Sequence, residues 1–455
     1  MGRNVLIIGF KRSGISAAKL FHFLGDGVYV CDRSEIRDIP EWVKGDRNGL
    51  MYDELFEGIG LVVLSPSVDI KSEMVCEAQK RNIAVIGETE GAYRVFNGRV
   101  TAVTGTNGKT TTTSLIEAFY LKGGKKAAAL GNIGIPFSEF IKKDIDEAVL
   151  EVSSFQLEST RDFKPHIALF LNFAPDHLDR HKDLEEYYSA KVKIFQNQTS
   201  EDFAVINADD EILFDRFKDG ITPYALGLSS DVSERFQNRN LPRLYTFSAK
   251  RKTIGAYVEK EGIFFDDGAK TRRVCSLSDG KLKGAHNLEN VLAAITAACL
   301  SDIENTAVIN ALSEFQPAHA RIEFVKKIEE TSFFNDSKGT NIHASIAAAK
   351  AMTGSTALIL GGSDKGEDFR VLFRALPDNI ISVYVTGENA SKIIEAAGEF
   401  PHVKICGLKT LKECVKKAYE ERPKNVLLSP ASASFDRYKN YEERGVVFEK
   451  LVEEL

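Results

Sequence analysis

"RVTAVTGTNGKTTTTSLIEAFYL", residues 99–121, joins a strand-like apolar run to a helix-like one through a loop of small and polar residues. A helix N-terminus leaves unpaired N–H groups and a partial positive charge, which is where phosphate binds. Lys109 and Thr110 stand at the junction. There a lysine can reach β- and γ-phosphates, and a threonine hydroxyl can be offered to Mg²⁺. Gly105 and Gly108 allow close approach of backbone to phosphate, with Thr106 and Asn107 between them and Thr111 just after. The usual pattern G-x-x-x-x-G-K-[ST] requires glycine five positions before Gly108, and Val103 stands there instead. On its own, the stretch therefore reads as a nucleotide loop of another form, or as a tight strand–helix turn with no ligand.

Outward from the loop, strand-like and helix-like segments alternate almost throughout. "NVLIIG" (4–9), "GVYVCD" (27–32), "GLVVLS" (60–65) and "IAVIG" (83–87) are short apolar runs separated by amphipathic stretches. That is the pattern of parallel α/β units. It restarts at residue 99, after the helix-like "ETEGAYRVF" and the turn Asn97-Gly98. It continues through "EAVLEVSS", "HIALFLN" and "DFAVIN". Residues 228–284 are polar and broken by Pro and Gly, with "TIGAYVEKEGIFF" suggesting a hairpin. Helical sequence runs from Asn287 to about Phe315, "QPAHAR" reads as a linker, and a third α/β run starts at "SFFNDS" and holds "TALILGG", "ISVYVTG" and "NVLLSP". The expectation is an α/β protein of three domains. A Rossmann-like domain spans 1–98, a P-loop ATPase-like domain 99–316 and a second Rossmann-like domain 317–455.

Composition narrows the function. A net charge of −6 and a pI near 5.9 argue against broad nucleic-acid or anionic-membrane binding, while local N–H nests and a few lysines still admit anionic substrates. The six cysteines are scattered without a C-x-x-C, as in a reduced cytoplasmic protein. No apolar run reaches the length of a membrane span, and the N-terminus enters a strand directly. The oligomeric state is left open, and a monomer is compatible with the chain.

The remaining motifs are individually weak. "GFKRSG" (9–14), with Asp32 at the end of the second strand, is similar to a dinucleotide fingerprint, but Lys11 replaces the middle glycine. That weighs against a nicotinamide oxidoreductase. Glu151 ends a strand, where a carboxylate beside a phosphate loop suits Mg²⁺; otherwise it is a surface glutamate. His177 and His181 are four apart, a spacing compatible with zinc on a helix face, but no third ligand is apparent. Lys191, in "YYSAKVKIF", reads alone as a surface lysine.

Taken in order, "TGTNGKTTT", "GNIGIP", "EVSSFQLE", "NFAPDHLDRH", "SAKVKIF", "NADD", "GAHNLEN", "FNDSKGTN", "GGSDKGEDF" and "LLSPASASFDRYKNYEERG" resemble the Mur ligase family, the ATP-dependent amide ligases of peptidoglycan precursor synthesis. In that family T-G-T-N-G-K-T is the usual phosphate loop, which accounts for the missing glycine. The last motif is most similar to the branch that joins D-glutamate to UDP-N-acetylmuramoyl-L-alanine, and the Asp-Asn-Pro-Arg motif of the diaminopimelate-adding branch is absent. The alternatives are a Mur-type ligase for another amino acid and an unrelated P-loop kinase or ATPase; the C-terminal motifs have no place in the latter. The chain departs from the family at Ala320 for histidine, Ser67 for glycine and Tyr441 for phenylalanine.

The resemblance implies an acyl-phosphate mechanism using ATP and two Mg²⁺ ions. It assigns one ion to Thr110 and Glu151, and the other to His177 and a carbamoylated Lys191. It implies ATP contacts from Asn287, Asn290, Arg321 and Asp336 in addition to the loop. The UDP-linked substrate is assigned to Ser13, Asp32 and Asn132, and D-glutamate to Lys338, Thr340, Lys365, Ser434 and Tyr441.

Overall fold

The computed structural model describes residues 2–177, 180–222, 225–227, 240–280, 282, 284–316, 322–401 and 403–455. The fold is α/β, built on three largely parallel sheets and one small antiparallel sheet. The chain divides into two compact units. One comprises Met1–Phe173, Glu185–Lys281 and Asn287–Phe315, and the other Ala174–Leu184, Leu282–His286 and Gln316–Leu455.

The first unit holds two parallel sheets. β1 (Asn4–Ile8), β2 (Gly27–Cys31), β3 (Gly45–Asp46), β4 (Leu61–Leu64) and β5 (Ala84–Gly87) lie in the order β3-β2-β1-β4-β5. β6 (Arg99–Thr104), β7 (Ala127–Gly131), β8 (Glu147–Glu151), β9 (Ile167–Phe170), β10 (Phe203–Asn207) and β11 (Arg243–Phe247) lie in the order β11-β10-β9-β6-β8-β7. Every residue of β8 and β9 is buried, so both faces are covered and the strands read as continuous apolar runs rather than alternating ones. β12 (Gly255–Glu259), β13 (Gly262–Asp266) and β14 (Thr271–Ser276) form the antiparallel sheet, and β12–β13 is the hairpin expected from "TIGAYVEKEGIFF".

The two parallel sheets of this unit are linked by buried polar groups. The Glu88 carboxylate accepts the Ser138 N–H (2.7 Å) and hydroxyl (2.6 Å), and the same hydroxyl lies 2.7 Å from that of Ser16. Burial pushes the Glu88 carboxyl above the usual range, and the Ser138 hydrogen bonds offset this only in part. Glu90, also fully buried, accepts three consecutive N–H groups, from Arg161, Asp162 and Phe163, and an Arg94 guanidinium N–H.

The second unit carries β15 (Glu323–Ile328), β16 (Thr331–Asn335), β17 (Thr356–Leu360), β18 (Ile380–Val385), β19 (Ile405–Gly407) and β20 (Asn425–Leu428) in the order β15-β16-β20-β17-β18-β19. All pairs are parallel except β15–β16. The third α/β run thus begins at Glu323, before "SFFNDS". The antiparallel edge strand β15 holds Lys326 and Lys327, whose charge masks it as a strand in sequence and protects an exposed edge. The helical sequence from Asn287 to about Phe315 forms two helices, Ala285–Leu300 and Asn305–Glu314, parted where Asp302 takes a left-handed φ of 58°. The linker residues 317–321 lie outside the described residues.

Candidate active site

β6 delivers the loop 105–108 to the helix Lys109–Lys122. Gly108 is the N-cap, at φ 82°, and a Cβ there would sit 2.2 Å from Asn290 Oδ1. Only glycine meets both the left-handed backbone and the close approach. Asn290 is buried, its Oδ1 accepts the Thr112 hydroxyl (3.3 Å), and its Nδ2 donates to Asn287 Oδ1 (3.5 Å). Of the two asparagines expected at the nucleotide, Asn290 therefore rests against the loop at Gly108, and Asn287 is its hydrogen-bond partner. Lys109 Nζ donates to the carbonyls of Gly105 and Thr106, both at 2.8 Å. Thr106, Thr110 and Thr111 are buried.

Lys191 is 1% exposed and donates to the same Gly105 carbonyl at 2.8 Å, with its Nζ 4.6 Å from the centre of the buried Tyr187 ring. The surface reading of this lysine is corrected: the helix Leu184–Val192 turns it inward, onto the phosphate loop. Two lysines thus converge on one peptide oxygen.

Glu151, at the end of β8, is likewise buried rather than a surface residue. Its Oε1 accepts Asn132 Nδ2 at 2.8 Å, and Oε2 is buried without a hydrogen-bond partner among the described residues. An orphaned carboxylate oxygen fits a hard cation. Among the described residues no group of three or more His, Cys, Asp or Glu forms a metal cluster. The donors present suit an ion that takes one or two protein ligands and completes its shell with phosphate and water, as Mg²⁺ does.

A cleft of about 440 Å³ opens at the carboxyl ends of β1, β2 and β4, lined by Gly9, Lys11, Asp32, Arg33, Ser67 and Met74. β1 leads to β2 on one side while β4 lies on the other, so this is the topological switch point where open α/β sheets bind ligands. Asp32 accepts the N–H groups of Phe10 (2.7 Å) and Ser34 (3.1 Å). Burial raises its pKa, but these bonds and the Lys11 charge outweigh burial and hold it below the usual carboxylate range. Ser13 lies in the first turn of the helix Arg12–Phe23, and a Cβ on Gly14 would sit 1.9 Å from the Gly9 carbonyl oxygen, so glycine permits the close helix–strand packing here.

In the second unit, the loops after β16, β17 and β20 meet on Arg444. Its buried guanidinium donates to Ser337 Oγ (3.0 Å) and to the carbonyls of Ser337 (2.9 Å), Ser432 (3.0 Å), Ala433 (3.2 Å) and Gly361 (3.5 Å). Burial lowers its pKa to about 10. These loops carry Lys338, Thr340, Lys365 and Ser434. Lys338 Nζ lies 5.3 Å from the Tyr441 ring centre, and Ser337 Oγ donates to the Tyr441 carbonyl. Asp336 accepts the Ser429 hydroxyl at 2.6 Å. Asp176 faces Lys365 Nζ (3.5 Å) and accepts Asn341 Nδ2 (3.1 Å). Beside it, His177 takes a φ of 55°. The two residues between His177 and His181 lie outside the described residues, and the His181 N–H donates to the His177 carbonyl at 3.0 Å. Arg321 and Ala320 lie outside the described residues.

Residues 103–298 match the Mur ligase middle domain, and residues 320–431 match the Mur ligase glutamate ligase domain. UDP-N-acetylmuramoylalanine--D-glutamate ligase of Thermoanaerobacter sp. (strain X514) is 38% identical over 470 aligned residues, covering 100% of this chain and 99% of the relative. The chain belongs to the Mur ligase family. The ligase of the same name from Koribacter versatilis (strain Ellin345) is 37% identical to this Mur ligase, again over 100% of the chain and 98% of the relative. Among solved structures, UDP-N-acetylmuramate-alanine ligase from Thermotoga maritima superposes with a TM-score of 0.59 at 18% identity, covering 99% of each chain. A pseudomurein peptide ligase type C from Methanothermus fervidus gives 0.58 at 17% identity over 100% of each. They share the three-domain architecture of this Mur ligase.

Sequence reasoning missed Tyr187, Asn172, Asp176 and Arg444. Tyr187 is four residues before Lys191, one helical turn, and that spacing is a usable signal. Asp176 is beside His177 in its own motif. Arg444 lies in the quoted C-terminal motif, but its role is not read there because its partners are 11 to 107 residues away.

Proposed function

We propose that this Mur ligase joins D-glutamate to UDP-N-acetylmuramoyl-L-alanine at the expense of ATP, in cytoplasmic peptidoglycan precursor synthesis. The observation that carries the reading is 38% identity, along the whole chain, to relatives named for that reaction. The domain limits 1–98, 99–316 and 317–455 then correspond to UDP-substrate, ATP and amino-acid binding.

An oxygen of the acceptor carboxylate attacks the γ-phosphorus, the bond to ADP breaks, and an acyl phosphate forms. The D-glutamate amine attacks the acyl carbon and loses a proton, and the bond to phosphate breaks to leave the amide. The first step brings two anions together, so cationic residues carry much of the work. Lys109 exchanges one loop carbonyl for phosphate oxygen and holds its charge there. Thr106, Asn107 and Thr111 shape the loop beneath the phosphates, and Asn287, Asn290, Arg321 and Asp336 hold the rest of ATP. Ser13, Asp32 and Asn132 hold the UDP-linked substrate. Lys338, Lys365, Thr340, Ser434 and Tyr441 offer the cations and hydroxyls that a dicarboxylate amino acid needs. Mg²⁺, when bound by Thr110 and Glu151 and by His177 and carbamoylated Lys191, would supply further neutralisation of phosphate charge. The orphaned Glu151 Oε2 supports the first of these ion sites, and the inward, crowded Lys191 supports the modification.

The test is ADP release. It should require UDP-N-acetylmuramoyl-L-alanine, run to completion with D-glutamate, and be lost in Lys109→Ala, by on the order of 10²–10³-fold. Faster turnover with another amino acid would assign a different Mur-type ligase. ADP release without the acceptor would point to a plain ATPase.

A further inference from the structure

We infer that Asn172 is a positioning residue for the nucleotide phosphates: its side chain extends the β6–β9 ladder into the phosphate loop and holds that loop in its binding form. The inference rests on reading residues 105–110 as the ATP site. β6 and β9 pair in parallel up to Thr104 and Phe170. Backbone pairing continues past the strand ends, with Leu171 N–H donating to the Thr104 carbonyl and Thr106 N–H to the Asn172 carbonyl, both at 3.0 Å. At the next residue a side chain takes over. Asn172 Oδ1 accepts the Asn107 N–H at 2.8 Å, and its Nδ2 donates to the Asn107 carbonyl at 3.1 Å. A carboxamide offers one acceptor and one donor in a plane, so it satisfies one residue's backbone as a neighbouring strand would.

The loop reaches Gly108 without the extra glycine of the longer pattern, since Val103 still belongs to β6. Three successive peptides are held by different neighbours: Gly105 by Lys109 and Lys191, Thr106 by Lys109 and the Asn172 backbone, and Asn107 by the Asn172 side chain. The Asn172 side chain is therefore a contact to Asn107 that a point substitution removes while leaving both lysines in place. Preorganised donors lower the cost of binding phosphate and of stabilising the charge that develops there.

The experiment compares wild type, Asn172→Ala and Asn172→Asp, measuring ADP and AMP affinities by calorimetry and KM for ATP and D-glutamate. Losing two hydrogen bonds corresponds to about a 10-fold effect or more. In Asn172→Ala, ADP affinity should fall and KM for ATP rise by that factor, while AMP affinity and KM for D-glutamate stay within about twofold. Asn172→Asp keeps the acceptor and loses the donor, so it should fold and show the same split between ADP and AMP. Wild-type ADP affinity in both variants would overturn the inference, and so would an equal loss for ADP, AMP and D-glutamate. If wild type itself bound no ADP, the reading of the loop as an ATP site would fail, which is a separate result.

Discussion

Gly108→Ala is the sharpest test of how the phosphate loop is built. Alanine at φ 82° pays a left-handed backbone cost of about 1–2 kcal/mol. Its Cβ would stand 2.2 Å from Asn290 Oδ1, where ordinary contact begins at 3.4 Å, so Asn290 must retreat by roughly 1.2 Å. Asn290 is 6% exposed and has little room, which adds an overpacking cost of about 1–3 kcal/mol. The total is about 2–5 kcal/mol, part of which Asn290→Ala should return. Asn290→Ala alone should cost about 1 kcal/mol, for the Thr112 hydrogen bond. The assay is equilibrium urea unfolding of the four proteins in the double-mutant cycle, with ADP affinity measured in parallel. The expected coupling between the two sites is about 1–3 kcal/mol, opposite in sign to the single costs. Coupling under about 0.5 kcal/mol, or a Gly108→Ala protein as stable as wild type, would refute the reasoning.

Two further outcomes follow from buried ionisable groups. Glu88 has a folded pKa raised above the unfolded value near 4.5, so its favourable contribution is complete below that pH and is lost as pH rises through the folded value. Glu88→Gln keeps an acceptor for Ser138, so its stability relative to wild type should grow from pH 4.5 upward; a difference that is flat with pH would remove the account. If Lys191 is carbamoylated, protein equilibrated with ¹³C-bicarbonate should give a carbamate NMR signal that Lys191→Ala lacks. Both Lys191→Ala and Lys191→Arg should lose about 10²-fold in activity; a fully active arginine variant would count against the modification.

Much of this was legible because strands buried on both faces spell themselves as apolar runs. β6, β8 and β9 could be read directly, and a Gly-Lys-Thr at the end of such a run located the loop. Burial of charged residues was not legible. Lysine is almost never fully buried unless it is paired, so Lys191 among tyrosines reads as a surface residue. Its hydrogen-bond partner, the Gly105 carbonyl, lies 86 residues earlier, where no local pattern records it. The family resemblance supplied Lys191, since neither spacing nor composition did. β15 was missed for a related reason: an edge strand that carries lysines violates the alternation by which strands are recognised. The break within the helical sequence after Asn287 was not legible because it depends on the backbone of Asp302, which tolerates a left-handed φ without glycine.

The two most buried cationic side chains singled out here, Lys191 and Arg444, divide along the chemistry of their head groups. Arg444 gathers the carbonyls of three loops in one unit, and even with its pKa lowered to about 10 it stays charged near neutral pH. A planar guanidinium with five fixed donors suits a permanent junction, because neither its charge nor its geometry changes when substrates bind. Lys191 faces the opposite demand. It shares the Gly105 carbonyl with Lys109. An amine can shed its proton and become a nucleophile toward CO₂, which a guanidinium does not do in proteins. Exchanging the residue types would therefore fail at both places for different reasons. Arg444→Lys would leave several loop carbonyls without donors, and Lys191→Arg would fix a positive charge where the proposed chemistry requires a negative one.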